Sequence, residues 1–371
     1  MGIPEPITNV RADAYVIPTD KPEADGTMRW DSTTLVVVEV TGGGQTGLGY
    51  TYSDACIVEL ITGKLAKTIS GLGVLDPPAA WRAMQQAVRN MGREGLAATA
   101  ISAVDTALWD LKARQLSVPL ARLFGEYRDK VPIYGSGGFT TYTDDELRSQ
   151  LAGWVERDGC RFVKMKVGSE PSRDPHRVET AKRAIGDRLL FVDGNGAYSV
   201  SEALILADAF AAQDVRWFEE PVSSDDLAGL RFIRRRAPVG MDIAAGEYAY
   251  TTYYVRRMLA SGAVAVQQVD VTRCGGFTGW LQAAALCEAF QTDISGHCAP
   301  SLHLHAACAA PRFRHLEWFH DHVRIEQMLF DGAPVPRDGV IRPDLSRPGI
   351  GLEFKRQDAE RFHHGKGAGG A

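Results

Sequence analysis

The sequence predicts a (β/α)8 barrel with a separate N-terminal α+β capping domain, and three observations carry that prediction. The pattern changes near Val131: longer alternating segments followed by helical periodicity give way to short apolar strands alternating with amphipathic helices. Eight such units can be counted, which implies closure into a barrel. No glycine-rich phosphate fingerprint follows the first strand, which sets the open doubly wound sheet behind the barrel.

The capping domain is expected over residues 1–128. Its alternating segments 7–18, 33–41 and 47–52 surround the Gly42-Gly43-Gly44 turn, and helical spacing begins near Asp54, giving a small sheet backed by helices. From Thr19 to Ser32 the chain holds Pro22, Gly26 and Trp30 with little apolar periodicity, so a long mobile loop is expected there. Together with a turn at Gly49 to Ser53 it would close over the barrel mouth. The barrel is expected over 129–320, with strands at VPIYGS (131), FVKMKV (162), LLFVD (189), VRWFE (215), GMDIAAG (240), AVAVQQVD (263), TDISGH (292) and HLEW (315). The Pro- and Gly-rich segment 321–371 is expected to return towards the capping domain.

With 371 residues the chain can bury a core that needs no disulfide or metal staple. Its 41 basic and 46 acidic residues give a formal charge of −5 without a basic stripe, which argues against a nucleic-acid partner. Cys56, Cys160, Cys274, Cys287, Cys298 and Cys308 show no CxxC spacing and read as structural free thiols of a reducing compartment. The opening MGIPEPITNVRADAY lacks a basic stretch running into an apolar one, and nothing later reaches the roughly 18 apolar residues of a membrane span. A soluble, cytoplasmic protein with no membrane partner is expected.

In such a barrel the C-terminal strand ends converge on one mouth. The second strand ends in Lys164-Met165-Lys166, and the next six end in Asp193, Glu219, Glu247, Asp270, His297 and Glu317. Any one acid after a strand reads more simply as a helix N-cap or a solvated loop charge. The conjunction reads differently. Asp193, Glu219 and Glu247 follow one another at 26 and 28 residues, one βα unit each, so they are neighbours that repel unless a cation neutralises them. All-oxygen ligands with positions open for water and substrate favour Mg²⁺, with Mn²⁺ as a substitute.

Lys164 and Lys166 lie two apart on a strand and share its inward face. Each ammonium lowers the other's proton affinity, and the nearby metal adds to this, moving one towards a neutral amine; Lys166 is the candidate base and Lys164 a donor to a substrate carboxylate. The bland alternative is a lysine pair merely ion-bonded to the acids. Asp270 and His297 end adjacent strands and form a candidate dyad, in which the acid fixes the imidazole tautomer. His303, His305 and the HDH run at 320 to 322 have no comparable partner in the sequence. Asn195 and Arg273 are candidate contacts with the distal part of a substrate or else structural polar residues, and Trp30 either lines the pocket or fills a core.

These residues in this order resemble the enolase superfamily, and within it the mandelate racemase subgroup. The segment SAVDTALWDLKARQLSVPLARLFG (102 to 125) and the motifs KMK, VDGN, FEEP, AGE, DVTRCGG and GH carry the resemblance over almost the whole chain. It implies metal ligands at Asp193, Glu219 and Glu247, bases at Lys166 and the His297-Asp270 dyad, and a protonated Glu317 beside the substrate carboxylate. The implied partner is a small-molecule carboxylate, and the implied assembly a homo-oligomer. Sugar-acid dehydration ranks first among the implied reactions; racemisation or epimerisation of a 2-hydroxy acid and lactone cycloisomerisation are alternatives. A barrel binding metal and sugar acid without turnover is the remote alternative.

Overall fold

The computed structural model describes residues 5–365; the first four and last six residues, and with them the outer ends of the expected capping domain and C-terminal segment, lie outside the described residues. Strands β1 (Ile7–Ala24), β2 (Arg29–Gly42) and β3 (Gln45–Tyr52) form an antiparallel sheet in that order. Alternate residues Val36, Val38 and Val40 share a buried core with Ile101, Val104, Leu108 and Leu111 of the helix Leu96–Gln115. Two acids of that helix stitch the sheet to the rest of the molecule. Asp110 accepts from the backbone N–H groups of Leu48 at 2.8 Å and Ile350 at 2.7 Å, and Asp105 accepts from Thr278 N at 2.9 Å and Oγ1 at 2.7 Å.

The mobile loop expected from Thr19 to Ser32 is instead the far end of the β1–β2 hairpin. Glu23 pairs with Trp30 and Ala24 with Arg29, after a register irregularity between Pro18 and Glu23. Pro22 falls inside that irregularity, where no ladder N–H is required, and the irregularity breaks the period-two pattern by which a strand is recognised. Asp25 closes the tip by accepting from Thr27 N at 2.6 Å and Met28 N at 2.7 Å. Likewise Gly49 to Tyr52 are not a turn but the end of β3.

The barrel strands are β4 (Val131–Gly137), β5 (Phe162–Lys166), β6 (Leu189–Asp193), β7 (Val215–Glu219), β8 (Asp242–Ala245), β9 (Val266–Val269), β10 (Asp293–Gly296) and β11 (Phe313–Phe319). Each pairs parallel with the next, and β11 returns to β4 through Leu316↔Ile133 and Glu317↔Tyr134, so the sheet closes. Capping boxes at Thr143/Glu146 and Ser199/Glu202 start the helices after β4 and β6. Stacked Phe191 and Trp217, with Tyr134 edge-on, plug the barrel below the mouth. After β11, the short strands β12 (Phe330–Asp331) and β14 (Glu353–Phe354) pair with each other, and β13 (Val340–Ile341) adds antiparallel to β4. Arg356 then reaches Asp13 at 3.0 Å and Glu39 at 2.7 Å, and His364 N donates to Ala14 O at 2.8 Å. No helix among the described residues is long and apolar enough to cross a membrane.

His305 joins the helix Pro300–Ala309 to both flanking segments: Nδ1 accepts from Ala121 N at 3.1 Å and Nε2 bonds Ile350 O at 3.0 Å. The acceptor role of Nδ1 requires a neutral ring, and burial lowers its pKa from 6.5 to about 4. A depressed histidine makes the unfolded chain the better proton binder as pH falls through 6.5 towards 4, so stability is lost over that window. The expected loss from this group is about 3 kcal/mol. Denaturant unfolding of the wild type and His305→Gln at pH 7 and pH 5 checks it, the variant showing the shallower pH dependence.

Candidate active site

Strand register, rather than loop conformation, brings the charged groups together. Lys166 is paired with Asp193, and Asp193 with Glu219, on β5, β6 and β7. Glu247 arrives two residues beyond β8 through Gly246, whose φ is 134°. Asp193, Glu219 and Glu247 are buried, and one oxygen of each lies within 4.8 Å of the others. Burial, then the charge of Asp193, pushes Glu219 up to about 8. Burial opposes ionisation of Glu247, but His297 and Arg273 hold it well below the usual carboxylate range. Glu247 Oε2 has no hydrogen-bond partner. Three converging buried carboxylates with an oxygen left over fit a hard divalent cation.

Lys164 Nζ contacts Glu219 at 2.6 Å, Glu317 at 2.8 Å and Asp193 at 3.3 Å, one acceptor for each of its protons. Lys166 Nζ lies 2.6 Å from Asp193. The sequence places one lysine near neutrality through repulsion by its neighbour and by a metal; the lysine neighbour alone does not achieve this. Burial favours a neutral Lys166, yet Asp193 outweighs Lys164 and holds the ammonium above its ordinary pKa. Only when a cation claims Asp193 does that carboxylate's charge cease to belong to Lys166.

Across the mouth, His297 follows β10 and Asp270 follows β9. Asp270 Oδ2 is 2.8 Å from His297 Nδ1, while Oδ1 accepts from Thr272 N and Oγ1, both at 2.7 Å. With Nδ1–H given to Asp270, Nε2 faces the interior, 3.4 Å from Glu247 Oε2 and 3.6 Å from Glu317 Oε2. Burial would depress the ring, but Cys298, Glu247, Glu317 and Asp270 lift its pKa well above 6.5. Glu317 accepts from Ser136 Oγ at 2.5 Å, Lys164 at 2.8 Å and Cys298 N at 3.0 Å. Burial would protonate it, but Lys164 and His297 hold it below the carboxylate range, so the proton expected on Glu317 is not favoured by this arrangement.

The three expected substrate contacts stand differently. Asn195 is left-handed (φ 45°), donates its backbone N–H to Asp193 at 3.0 Å, and keeps a buried Oδ1 without a partner. Arg273 is spent on protein groups: Glu247 Oε1 at 3.4 Å, Asp270 Oδ2 at 3.5 Å and the ring of Tyr248. Trp30 gives its indole N–H to Glu23 at 2.8 Å and sets its ring edge-on to Phe139, in an apolar cluster with Tyr142, Cys298 and Phe319.

Sequence reasoning passes over Ser136, Glu220 and Cys298. Cys298 Sγ sits 3.4 Å from His297 Nε2, and adjacency to the GH motif is its signal. Glu220 is buried with an unpartnered Oε1, and the second acid of FEEP is its signal. Ser136 shows none beyond its place at a strand end. Asn195, Glu220, Cys298 and Ala299 all have positive φ without being glycine, which concentrates backbone strain at this mouth.

The hairpin tip seats directly on these loops. A Cβ on Gly26 would meet Gly194 O and Val167 O, each at 2.6 Å, and both are backbone atoms that cannot swing aside. Gly26→Val is therefore expected to lift the tip, seen as about tenfold faster tryptic cleavage after Arg29 and corresponding to about 1.4 kcal/mol of lost docking. An unchanged cleavage rate would count against a docked tip.

Comparison with known proteins agrees with the two-domain barrel fold. Residues 13–125 match the mandelate racemase/muconate lactonizing enzyme N-terminal domain, and residues 146–359 the enolase C-terminal domain-like model. The chain is 33% identical over 362 residues to a 3,6-anhydro-alpha-L-galactonate cycloisomerase of Streptomyces coelicolor, covering 94% of this chain and 98% of that one. It is 29% identical to a D-gluconate dehydratase of Thermoproteus tenax over 92% of this chain and 72% of that protein. Among solved structures, a mandelate racemase/muconate lactonizing enzyme-like protein from Rubrobacter xylanophilus superposes with a TM-score of 0.94 at 50% identity, covering 96% and 99% of the two chains. A Streptomyces coelicolor racemase with bound magnesium gives 0.90 at 32% identity, covering 96% and 99%.

Proposed function

The chain belongs to the mandelate racemase/muconate lactonizing enzyme family of the enolase superfamily, and from that premise we propose that it abstracts the proton α to the carboxylate of a sugar acid and expels the β-oxygen. In this reading Asp193, Glu219 and Glu247 hold Mg²⁺, for which Mn²⁺ can substitute. The ion supplies positive charge where the substrate carboxylate gains a second negative charge. One observation carries the proposal: Lys166 on β5 and the His297–Asp270 dyad after β10 and β9 face each other across one buried, three-carboxylate mouth.

Lys166, as the neutral amine, takes the α-proton into its Nζ lone pair. Lys164 keeps a fixed positive charge beside the carboxylate. The C–H electron pair then forms the α,β double bond as the β-carbon–oxygen bond breaks, and His297 Nε2 gives its proton to the departing oxygen. Asp270 holds Nδ1–H throughout and stabilises the charged ring. Asn195 Oδ1, buried without a partner, is free to accept from a substrate hydroxyl. A hydroxyl leaving group yields an enol that becomes a 2-keto-3-deoxy acid.

The second reading, cycloisomerisation, has the ring oxygen of an anhydro-acid or lactone as leaving group, and the similarity to the Streptomyces cycloisomerase favours it. Both readings share the first step. A screen of aldonates, aldarates and their lactones with Mg²⁺ separates them: a keto product lighter than substrate by one water supports dehydration, and an isomeric product supports cycloisomerisation. Activity indifferent to chelator overturns the metal-assisted reading, and α-deuterium uptake without product overturns the elimination and leaves racemisation. The cytoplasmic setting is supported by six cysteines without a disulfide, five of them buried. A homo-oligomer belongs to the same proposal, and light scattering on eluted protein reads it.

A further inference from the structure

Where the hairpin meets the barrel, a second group of ligand-type side chains shares no residue with the catalytic trio. Asp20 and Glu23 on β1 and His320, which starts the helix His320–Leu329, each offer one ligand atom within 4.8 Å of the others. Asp20 Oδ2 lies 3.0 Å from His320 Nε2. Glu23 is fully buried; its Oε2 accepts from Trp30, and its Oε1 has no partner. The nearby cations are committed elsewhere. Lys21 pairs with Glu146 at 2.6 Å, and Arg324 is held by Asp321 at 2.5 Å and Pro18 O at 2.7 Å. Two carboxylates, one of them buried, therefore face a single imidazole.

We propose that Asp20, Glu23 and His320 bind a divalent cation of the zinc class, which clamps the β1–β2 hairpin onto the barrel. One imidazole nitrogen and two carboxylate oxygens leave a fourth tetrahedral position for water, a set that suits Zn²⁺ and ill suits Mg²⁺, which prefers six oxygens. The clamp joins the hairpin to the chain three residues beyond Glu317, so an occupied site holds the lid shut over the mouth and slows exchange of substrate and product.

The test titrates Mg²⁺-saturated protein with Zn²⁺ by calorimetry and, in parallel, with Co²⁺ followed in the visible. One Zn²⁺ per chain is expected, with affinity lowered about tenfold or more in His320→Ala and Glu23→Gln and unchanged in Asp193→Asn, whose catalytic trio is broken. Co²⁺ is expected to give the intense band of tetrahedral coordination. Zn²⁺ is expected to slow tryptic cleavage after Arg29 in the wild type and not in His320→Ala. Circular dichroism establishes that each variant is folded, and Asp20→Asn replaces any that is not. The proposal is overturned by absence of Zn²⁺ uptake in the presence of Mg²⁺. Uptake lost in Asp193→Asn and kept in His320→Ala overturns it equally, since the ion would then sit in the catalytic trio.

Discussion

Lys166→Ala is expected to lower turnover by about 10²–10⁴-fold, the range for loss of a positioned general base, while leaving the fold and Mg²⁺ uptake in place. The two halves of that expectation have one cause. Lys166 Nζ sits 2.6 Å from Asp193, so removing the ammonium frees a carboxylate oxygen for the cation as it removes the proton acceptor. Mg²⁺ affinity measured by calorimetry should therefore hold or rise, an outcome that simple unfolding cannot mimic. Lys164 remains, with Glu219 at 2.6 Å and Glu317 at 2.8 Å, so the floor of the site keeps its central positive charge. Deuterium exchange at the α-carbon sharpens the assignment. Lys166→Ala should lose it, whereas His297→Asn should keep exchange and lose elimination, because its imidazole is the proton donor to the leaving oxygen. The reverse pattern would exchange the roles of the two groups.

The candidate constellation is legible in the sequence because a closed parallel barrel converts sequence spacing into spatial order. Once the strands ending at Lys166, Asp193 and Glu219 are placed, their pairing leaves little freedom, and the structure sets these three side by side. Protonation is less legible, since it depends on distances that a motif does not carry. The motif puts a proton on Glu317, yet Ser136, Lys164 and Cys298 supply donors to its oxygens. The lysine pair and a metal together suggest a near-neutral Lys166, yet Asp193 lies close enough that the pair alone leaves its pKa raised. The hairpin tip escapes the sequence for a different reason. Strand recognition relies on unbroken alternation, and the register irregularity between Pro18 and Glu23 interrupts it just where the hairpin bends over the barrel. Arg273 shows the same gap at side-chain level: its place after Asp270 announces a polar contact, but only the geometry shows that Glu247 and Asp270 claim it.

Gly246→Ala should damage both stability and metal binding, although residue 246 ligates nothing. With φ at 134° the backbone occupies a region that L side chains rarely adopt, and a Cβ there would lie 2.1 Å from Gln268 O and 2.2 Å from Gln267 Nε2. The Gln267 amide could shift, but Gln268 belongs to β9 and is paired with Ser295 of β10, so its carbonyl cannot retreat without opening the barrel wall. Strain and overpacking together should cost about 3 kcal/mol, read as a lower denaturant midpoint with an unchanged slope. The cheaper relief is for the strand end to tilt, and Glu247 is the next residue. Arg273 holds its carbonyl at 3.3 Å and its Oε1 at 3.4 Å, so a displaced Glu247 leaves both the trio and that clamp. Mg²⁺ affinity should fall about tenfold or more, and turnover with it at subsaturating Mg²⁺. Excess Mg²⁺ should restore much of the activity in Gly246→Ala but little in Glu247→Ala, where the oxygen itself is gone. A destabilised variant that binds Mg²⁺ with wild-type affinity would show that the glycine serves the barrel wall alone and that Glu247 is aimed by Arg273.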